Sequence, residues 1–368
     1  MSGESQKKEI PSLTGVRFML VSMVFLIHYS DKLLSLGHFA VGIVNQFYLS
    51  LHMFFVLSGF VICYKYFEKT ELQKKVLLSY YLKRFSKIYP VFFFLTTLTY
   101  AVWIRNSTSY HPLIKEWLLN ITFIKGFSEK YYLSGIGPSW SLTVEELFYF
   151  FSPFIFLLIK KKNIFFPQIL FWWGLGGLLL LIFTKFPYDG FFANGYFVYF
   201  ATFFGRCFEF YCGIWLALFI SGRVNFRRSK LRSFIAPVYT LAGIGWMTIC
   251  ILLLYFNQYI GGYSLVIKVL LSNLLFPIGV TLFYLGLIRE KTFLQKIFST
   301  KLFLLLGQSS YTFFLLHTGV IATGLEKYLT HNVVILFILL YLLAVLIFLL
   351  FERPVSTWIR RRGKILLN

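Results

Sequence analysis

Apolar stretches of about twenty residues recur along the whole chain, and this recurrence constrains the fold more than any motif does. A run of 18 or more apolar residues is long enough to cross a bilayer's hydrocarbon core as a helix. Within lipid, every backbone N–H and C=O must find its partner inside the protein, which leaves helices and closed barrels as spanning structures. Runs of this length predict helical spans at 13–34, 44–66, 88–104, 139–159, 164–184, 197–220, 234–256, 264–288, 302–325 and 333–352. Composition agrees, with 58% of the residues hydrophobic and 14% charged, against about 25% charged in an ordinary soluble domain. The expectation is an all-α polytopic membrane protein of about ten transmembrane helices, a single domain over residues 1–368 with no fused soluble domain. Residues 1–12 are polar and the first apolar run lacks a small-residue cleavage site, so 13–34 reads as an uncleaved anchor.

A net charge of +22 would suggest a nucleic-acid partner for a soluble protein. Its distribution points elsewhere. If the N-terminus is cytoplasmic, the inner side receives Lys7, Lys8, the 65–87 segment, "KKK" at 160–162, "RVNFRRSKLR" at 223–232, the 289–301 segment, Arg353 and "RRRGK" at 360–364. The outer connections keep Lys32, Arg105, Lys115, Lys125, Lys130, Lys185 and Lys327. By the positive-inside rule this asymmetry predicts two cytoplasmic termini, with lipid headgroups a secondary contact and no nucleic acid. Cys63, Cys207, Cys212 and Cys250 lie in apolar segments at unrelated spacings. They read as core packing, and neither a disulfide framework nor a metal site is expected.

Two connections have their own character. "FEKTELQKKVLLSYYLKRFSK" (67–87) mixes charge with apolar residues, as does a helix lying on a membrane surface. The 105–138 segment contains "WLLNITFI" (117–124), too short to span and so interfacial or re-entrant. It also holds N-x-T matches at Asn106 and Asn120, relevant only on a eukaryotic secretory route. It closes on "SGIGPSW", where Ser139 or Ser141 is placed to cap the next helix.

Ionisable side chains inside spans are costly and tend to mark pathways or reaction sites. Arg17 and His28, eleven residues apart, share one helix face about 16 Å apart along the axis. With the first span running outward, His28 lies toward the outer leaflet, at the predicted depth of Glu145, Glu146 and His317. Arg17, Arg84 and Lys87 collect on the inner side. A carboxylate that orients an imidazole, leaving its other nitrogen to take a proton, is an arrangement for general-base chemistry. Arginines suit a phosphate-bearing anion. The pattern predicts an anionic donor reaching from the inner side to His28, and a coenzyme A arm has the length and slenderness for it.

The same residues carry a resemblance. "TGVRFMLVSMVFLIHYS" (14–30), "FFVLSGFVI" (54–62), "LKRFSKIYPVF" (82–92), "PSWSLTVEELFYF" (138–150), "RCFEFYCGIWLA" (206–217), "LGQSSYTFFLLHT" (306–318) and "FERP" (351–354) occur in that order. Together they resemble the acyltransferase-3 family of bacterial membrane O-acyltransferases, over nearly the whole chain. The resemblance implies transfer of an acyl group, most often acetyl from acetyl-CoA, to a hydroxyl of a cell-surface or lipid-linked glycan, in the bacterial plasma membrane. By position it implies His28 as catalytic base with Glu145 supporting it, and Arg17, Arg84 and Lys87 as donor-binding residues. It gives Ser58, Trp140, Ser141, Arg206, Tyr311 and His317 to the cavity or acceptor. Lys87 stands where the family often has arginine, and His52-Met53 where many members carry an acid.

Structural readings stand beside these. Glu145 and Glu146 are about 100° apart on a helix, and Glu146 is expected to pair elsewhere or snorkel to the outer surface. Arg206 and Glu209 are spaced to neutralise each other within one turn. Glu352 and Arg353 read as a boundary ion pair, and Lys268 as a snorkelling cation. A secondary transporter or flippase also needs intramembrane His, Glu and Arg, but it favours matching broken helices in two halves. No such symmetry is present in the sequence.

Overall fold

A computed structural model describes residues 9–162, 164–223, 237–259, 262 and 264–367. Lys7, Lys8 and all of the 223–232 basic run except Arg223 lie outside the described residues. Among the described residues the regular structure is helical, without a strand. Nine helices among the described residues are long and apolar enough to cross a membrane.

The chain divides into two compact units, each drawn from two stretches. One comprises 1–69 with 207–308, and the other 70–206 with 309–368.

In the first unit the leading helix Pro11–His28 buries Leu13, Val16, Leu20, Val21, Val24 and Phe25. These positions follow the 3.6-residue period of a helix with one packed stripe. Helices Ser50–Tyr66 and Phe203–Ile220 approach backbone to backbone. A Cβ at Gly59 would lie 2.2 Å from the Phe210 carbonyl oxygen, and one at Gly213 2.0 Å from that of Val56. Where lipid removes the hydrophobic drive for helices to associate, such small-residue contacts let van der Waals packing hold them together. The buried carboxylate of Glu290 accepts from the backbone N–H groups of Tyr239 and Thr240 and from the Thr240 hydroxyl, at 2.6, 3.0 and 2.6 Å. It satisfies donors that the start of helix Val238–Tyr259 would otherwise leave orphaned.

In the second unit, helix Lys74–Arg105 runs for 32 residues. That is about 48 Å, well beyond the ~30 Å hydrocarbon thickness. The 67–87 segment is therefore not a separate surface helix. From Lys74 it forms the first turns of the same helix that carries the span, because nothing interrupts the helical period there. Pro90 lies inside the helix without ending it. The last span likewise continues through a π-helical turn at Phe348–Glu352 into the basic Arg353–Leu367 helix.

The predicted span at 302–325 is the exception. Three short helices, Lys301–Gln308, Ser310–Leu316 and Val320–Tyr328, replace it. The last break falls at Gly319, whose φ of +92° is a conformation that side chains other than glycine rarely adopt.

Candidate functional site

His28 ends the leading helix and is exposed, although Val24, Phe25 and Tyr29 around it are buried. Its Nδ1 lies 2.7 Å from the Val24 carbonyl oxygen, one turn back. A carbonyl can only accept, so this bond places the proton on Nδ1 and makes Nε2 the basic nitrogen of the neutral ring. Tyr29 stacks on Phe25 at 4.5 Å and carries the Lys32 ammonium over its ring at 5.5 Å. Arg17, half-buried on the same helix, lies within electrostatic reach of Tyr284. The Tyr284 hydroxyl donates to the Met53 carbonyl at 3.0 Å. Ser58 is buried beside Gly59.

The first unit also holds a pair that the sequence reading does not join. His52 Nδ1 meets Glu209 Oε1 at 2.5 Å, and both side chains are wholly buried. Phe276 packs edge-on against the imidazole at 6.0 Å. Glu209 thus has as a partner a histidine 157 positions away in the sequence.

The second unit gathers a polar cluster. Glu145 and Glu146 lie on helix Trp140–Lys162, and Arg84 on helix Lys74–Arg105. The Arg84 guanidinium is 5.9 Å from the centre of the Tyr149 ring, and its charge acts on Glu146. Tyr311 donates to the Ile88 carbonyl at 2.8 Å and lies within electrostatic reach of Glu145, Glu146, Tyr149 and Glu352. The charges of Arg84 and Glu145 both act on Glu146 within the unit. Glu352 is buried and accepts from the Thr312 hydroxyl at 2.6 Å. Its partner Thr312 lies on the short helix Ser310–Leu316 of the same unit.

The remaining predicted residues are dispersed through the second unit. Lys87 is half-buried, three residues beyond Arg84. Trp140 meets Tyr132 edge-on at 6.4 Å. Ser141 donates to the Pro138 carbonyl at 3.0 Å, while Ser139 donates to the Ile136 carbonyl at 2.5 Å, so both hydroxyls bond backward into the turn. Arg206 is buried, with Tyr196 in electrostatic reach. His317 is buried and lies parallel to Phe313 at 6.0 Å. Asn120, one of the N-x-T matches, is buried with its amide on Tyr100, Glu116 and Ser134. Among the described residues, no group of three or more His, Cys, Asp or Glu side chains is placed to hold a metal ion.

Sequence reasoning also passed over Lys125, counting it only as a loop charge. It is fully buried, and its ammonium donates to the Ser134 carbonyl and the Ser139 hydroxyl, both at 2.7 Å. Burial pulls its pKa down to about 7, against which the charge of Glu116 acts. The available signal was a lone cation flanked by apolar residues in "ITFIKGF".

The family described as Acyltransferase domain matches residues 10–353. Acyltransferase MdmB of Streptomyces mycarofaciens is 26% identical over 186 residues, covering 46% of this chain and 44% of that protein. The Staphylococcus aureus (strain COL) protein named "Putative O-acetyltransferase SACOL0978" is 26% identical over 347 residues, 85% of this chain and 51% of that protein. Nose resistant to fluoxetine protein 6 of Caenorhabditis elegans is 23% identical over 195 residues, 44% of this chain and 24% of that protein. The chain thus spans about half the length of the first two relatives. No solved structure matches it.

Proposed function

Because the chain belongs to this acyltransferase family, we propose that it is a membrane O-acyltransferase, moving acetyl from acetyl-CoA to a hydroxyl of a cell-surface or lipid-linked glycan. The observation that supports this most directly is His28: an exposed imidazole at a helix end, its tautomer set by the Val24 carbonyl so that Nε2 is the base.

In this reading Nε2 takes the proton from the acceptor hydroxyl as the hydroxyl oxygen attacks the thioester carbonyl carbon. The new C–O bond forms and the C–S bond breaks. The coenzyme A thiolate leaves and recovers the proton from the imidazolium. Arg17, Arg84 and Lys87 bind the donor's phosphates, Arg17 and Arg84 as planar forks and Lys87 as a point charge. Glu145 is the supporting carboxylate. Ser58, Trp140, Ser141, Arg206, Tyr311 and His317 contact the acceptor or line its path. The basic connections face the cytoplasm of a bacterial plasma membrane, and the donor arrives from that side.

The test is to supply radiolabelled acetyl-CoA to membranes holding either the wild type or His28→Ala. Label should enter a glycan fraction only with the wild type. Equal labelling with both proteins would overturn the role of His28, and labelling confined to protein or to lipid that carries no sugar would overturn the acceptor class.

A further inference from the structure

A lysine with no exposed surface, outside the membrane-spanning helices, is costly unless its charge or its hydrogen bonds are put to use. The other two lysines of the same connection, Lys115 and Lys130, are exposed and pair with Asp189 at 2.7 and 3.2 Å. Lys125 differs from both. Among the described residues no carboxylate lies within ion-pair distance of it. Its three N–H groups face the Ser134 carbonyl, the Ser139 hydroxyl and, at 3.5 Å, the Ile136 carbonyl. All three acceptors belong to the turn that leads into helix Trp140–Lys162.

The grip continues one helical turn further on. The Thr143 hydroxyl donates to the Phe123 carbonyl at 3.1 Å. Gly126 lies so close to Thr143 that an added Cβ would be 2.4 Å from its side chain. The 123–126 turn therefore holds the helix at Ser139 and again at Thr143, four residues apart and on one face. Two such points fix the rotation of a helix about its axis. Glu145 and Glu146 follow Thr143 by two and three residues, so this rotation decides which of them faces a given direction.

We propose that Lys125 is a positioning residue for the acyltransferase: its buried ammonium locks the rotational setting of helix Trp140–Lys162 and so aims Glu145. The proposal rests on the functional reading above and adds to it a residue that touches neither donor nor acceptor.

The test uses the full-length protein in membranes, with Lys125→Met, Ser139→Ala and, as control, Lys115→Met. Apparent kcat and the KM for the donor are measured with radiolabelled acetyl-CoA and native envelope material, and amide exchange is followed over residues 134–145. Lys125→Met should speed that exchange and lower kcat about 100-fold, the scale of a misplaced reacting group, with KM close to the wild-type value. Ser139→Ala removes one acceptor without emptying the core and should move both readouts the same way by less, so the proposal stays testable if Lys125→Met does not fold. Lys115→Met should move neither. In a Glu145→Gln background, Lys125→Met should lower kcat little further, because residues acting through one another are not additive.

Unchanged exchange in both Lys125→Met and Ser139→Ala would overturn the proposal, and so would a full additive loss on top of Glu145→Gln. Glu145→Gln at wild-type activity would overturn the role of Glu145 itself. An inactive Glu145→Gln beside a fully active Lys125→Met would overturn only the assignment of Lys125.

Discussion

His28 and His52 lie on consecutive membrane helices of one unit, and their surroundings are opposite. His28 is exposed at a helix end, with a backbone carbonyl on one nitrogen. His52 is sealed in the interior against a carboxylate, in the pairing that the sequence reading associated with general-base chemistry. The difference teaches that a histidine–carboxylate pair is not by itself a catalytic signature. Chemistry needs a nitrogen that a substrate can reach, whereas a wholly buried pair first serves to neutralise itself. Breaking such a pair leaves an uncompensated charge, and that penalty is structural.

The comparison can be broken most decisively at His28. His28→Ala should lower transfer by about 10²–10⁴-fold, the usual contribution of a general base, with unfolding in detergent unchanged. If His52→Ala lost transfer while staying folded and His28→Ala did not, the two roles would be reversed.

Next in size is the sealed pair. His52→Ala or Glu209→Ala should cost about 3–5 kcal/mol of stability, while His52→Leu combined with Glu209→Leu should be close to neutral. Denaturant titration of the purified protein distinguishes these outcomes. A double variant as unstable as the singles would argue that the pair does more than neutralise itself.

Arg17 sharpens the comparison from the other end of the leading helix. If it binds the donor, Arg17→Ala should raise the donor KM by about 10–100-fold, in line with about 1.5–3 kcal/mol for a charged hydrogen bond. Acceptor KM should change little, and the reverse pattern would refute the assignment.

A smaller effect is expected from pH. Lys125 binds its proton less tightly when folded, with a pKa of about 7, than in the unfolded chain at about 10.4. Between those values the unfolded state carries the extra proton, so stability should rise with pH through the window. The gain is about 1 kcal/mol between pH 7 and pH 8, and Lys125→Met should abolish it. A falling profile would show that the ammonium's three oxygen acceptors outweigh its burial.

The smallest effect belongs to Asp189, whose carboxyl is held below the usual range by hydrogen bonding to Lys115. Its contribution is present above the ordinary aspartate pKa and lost as pH falls below it. Asp189→Asn should accelerate proteolytic nicking of the 106–139 connection under mild conditions, and nothing more.

Most of the helices were legible because crossing a bilayer demands both length and apolarity, and these are local properties of a sequence. The break at Gly319 was not. A glycine inside an apolar run reads the same whether its φ is negative or positive, and only the packing around it decides. At the candidate site, His28 and its spacing from Arg17 were legible, as was the adjacency of Glu145 and Glu146. The direction each glutamate faces was not legible, since the two differ only by a rotation that neighbouring elements impose.

The sequence alone determined that this chain is a helical membrane protein with ionisable residues on its leading span, because the desolvation of backbone and charge leaves few alternatives. The pairing of His52 with Glu209, the burial of Lys125 and the approach of Arg84 to Glu146 were decided by tertiary structure. Each depends on an approach between segments distant in the chain, and hydrogen bonds and charge pairs act over a few ångströms, however many residues lie between.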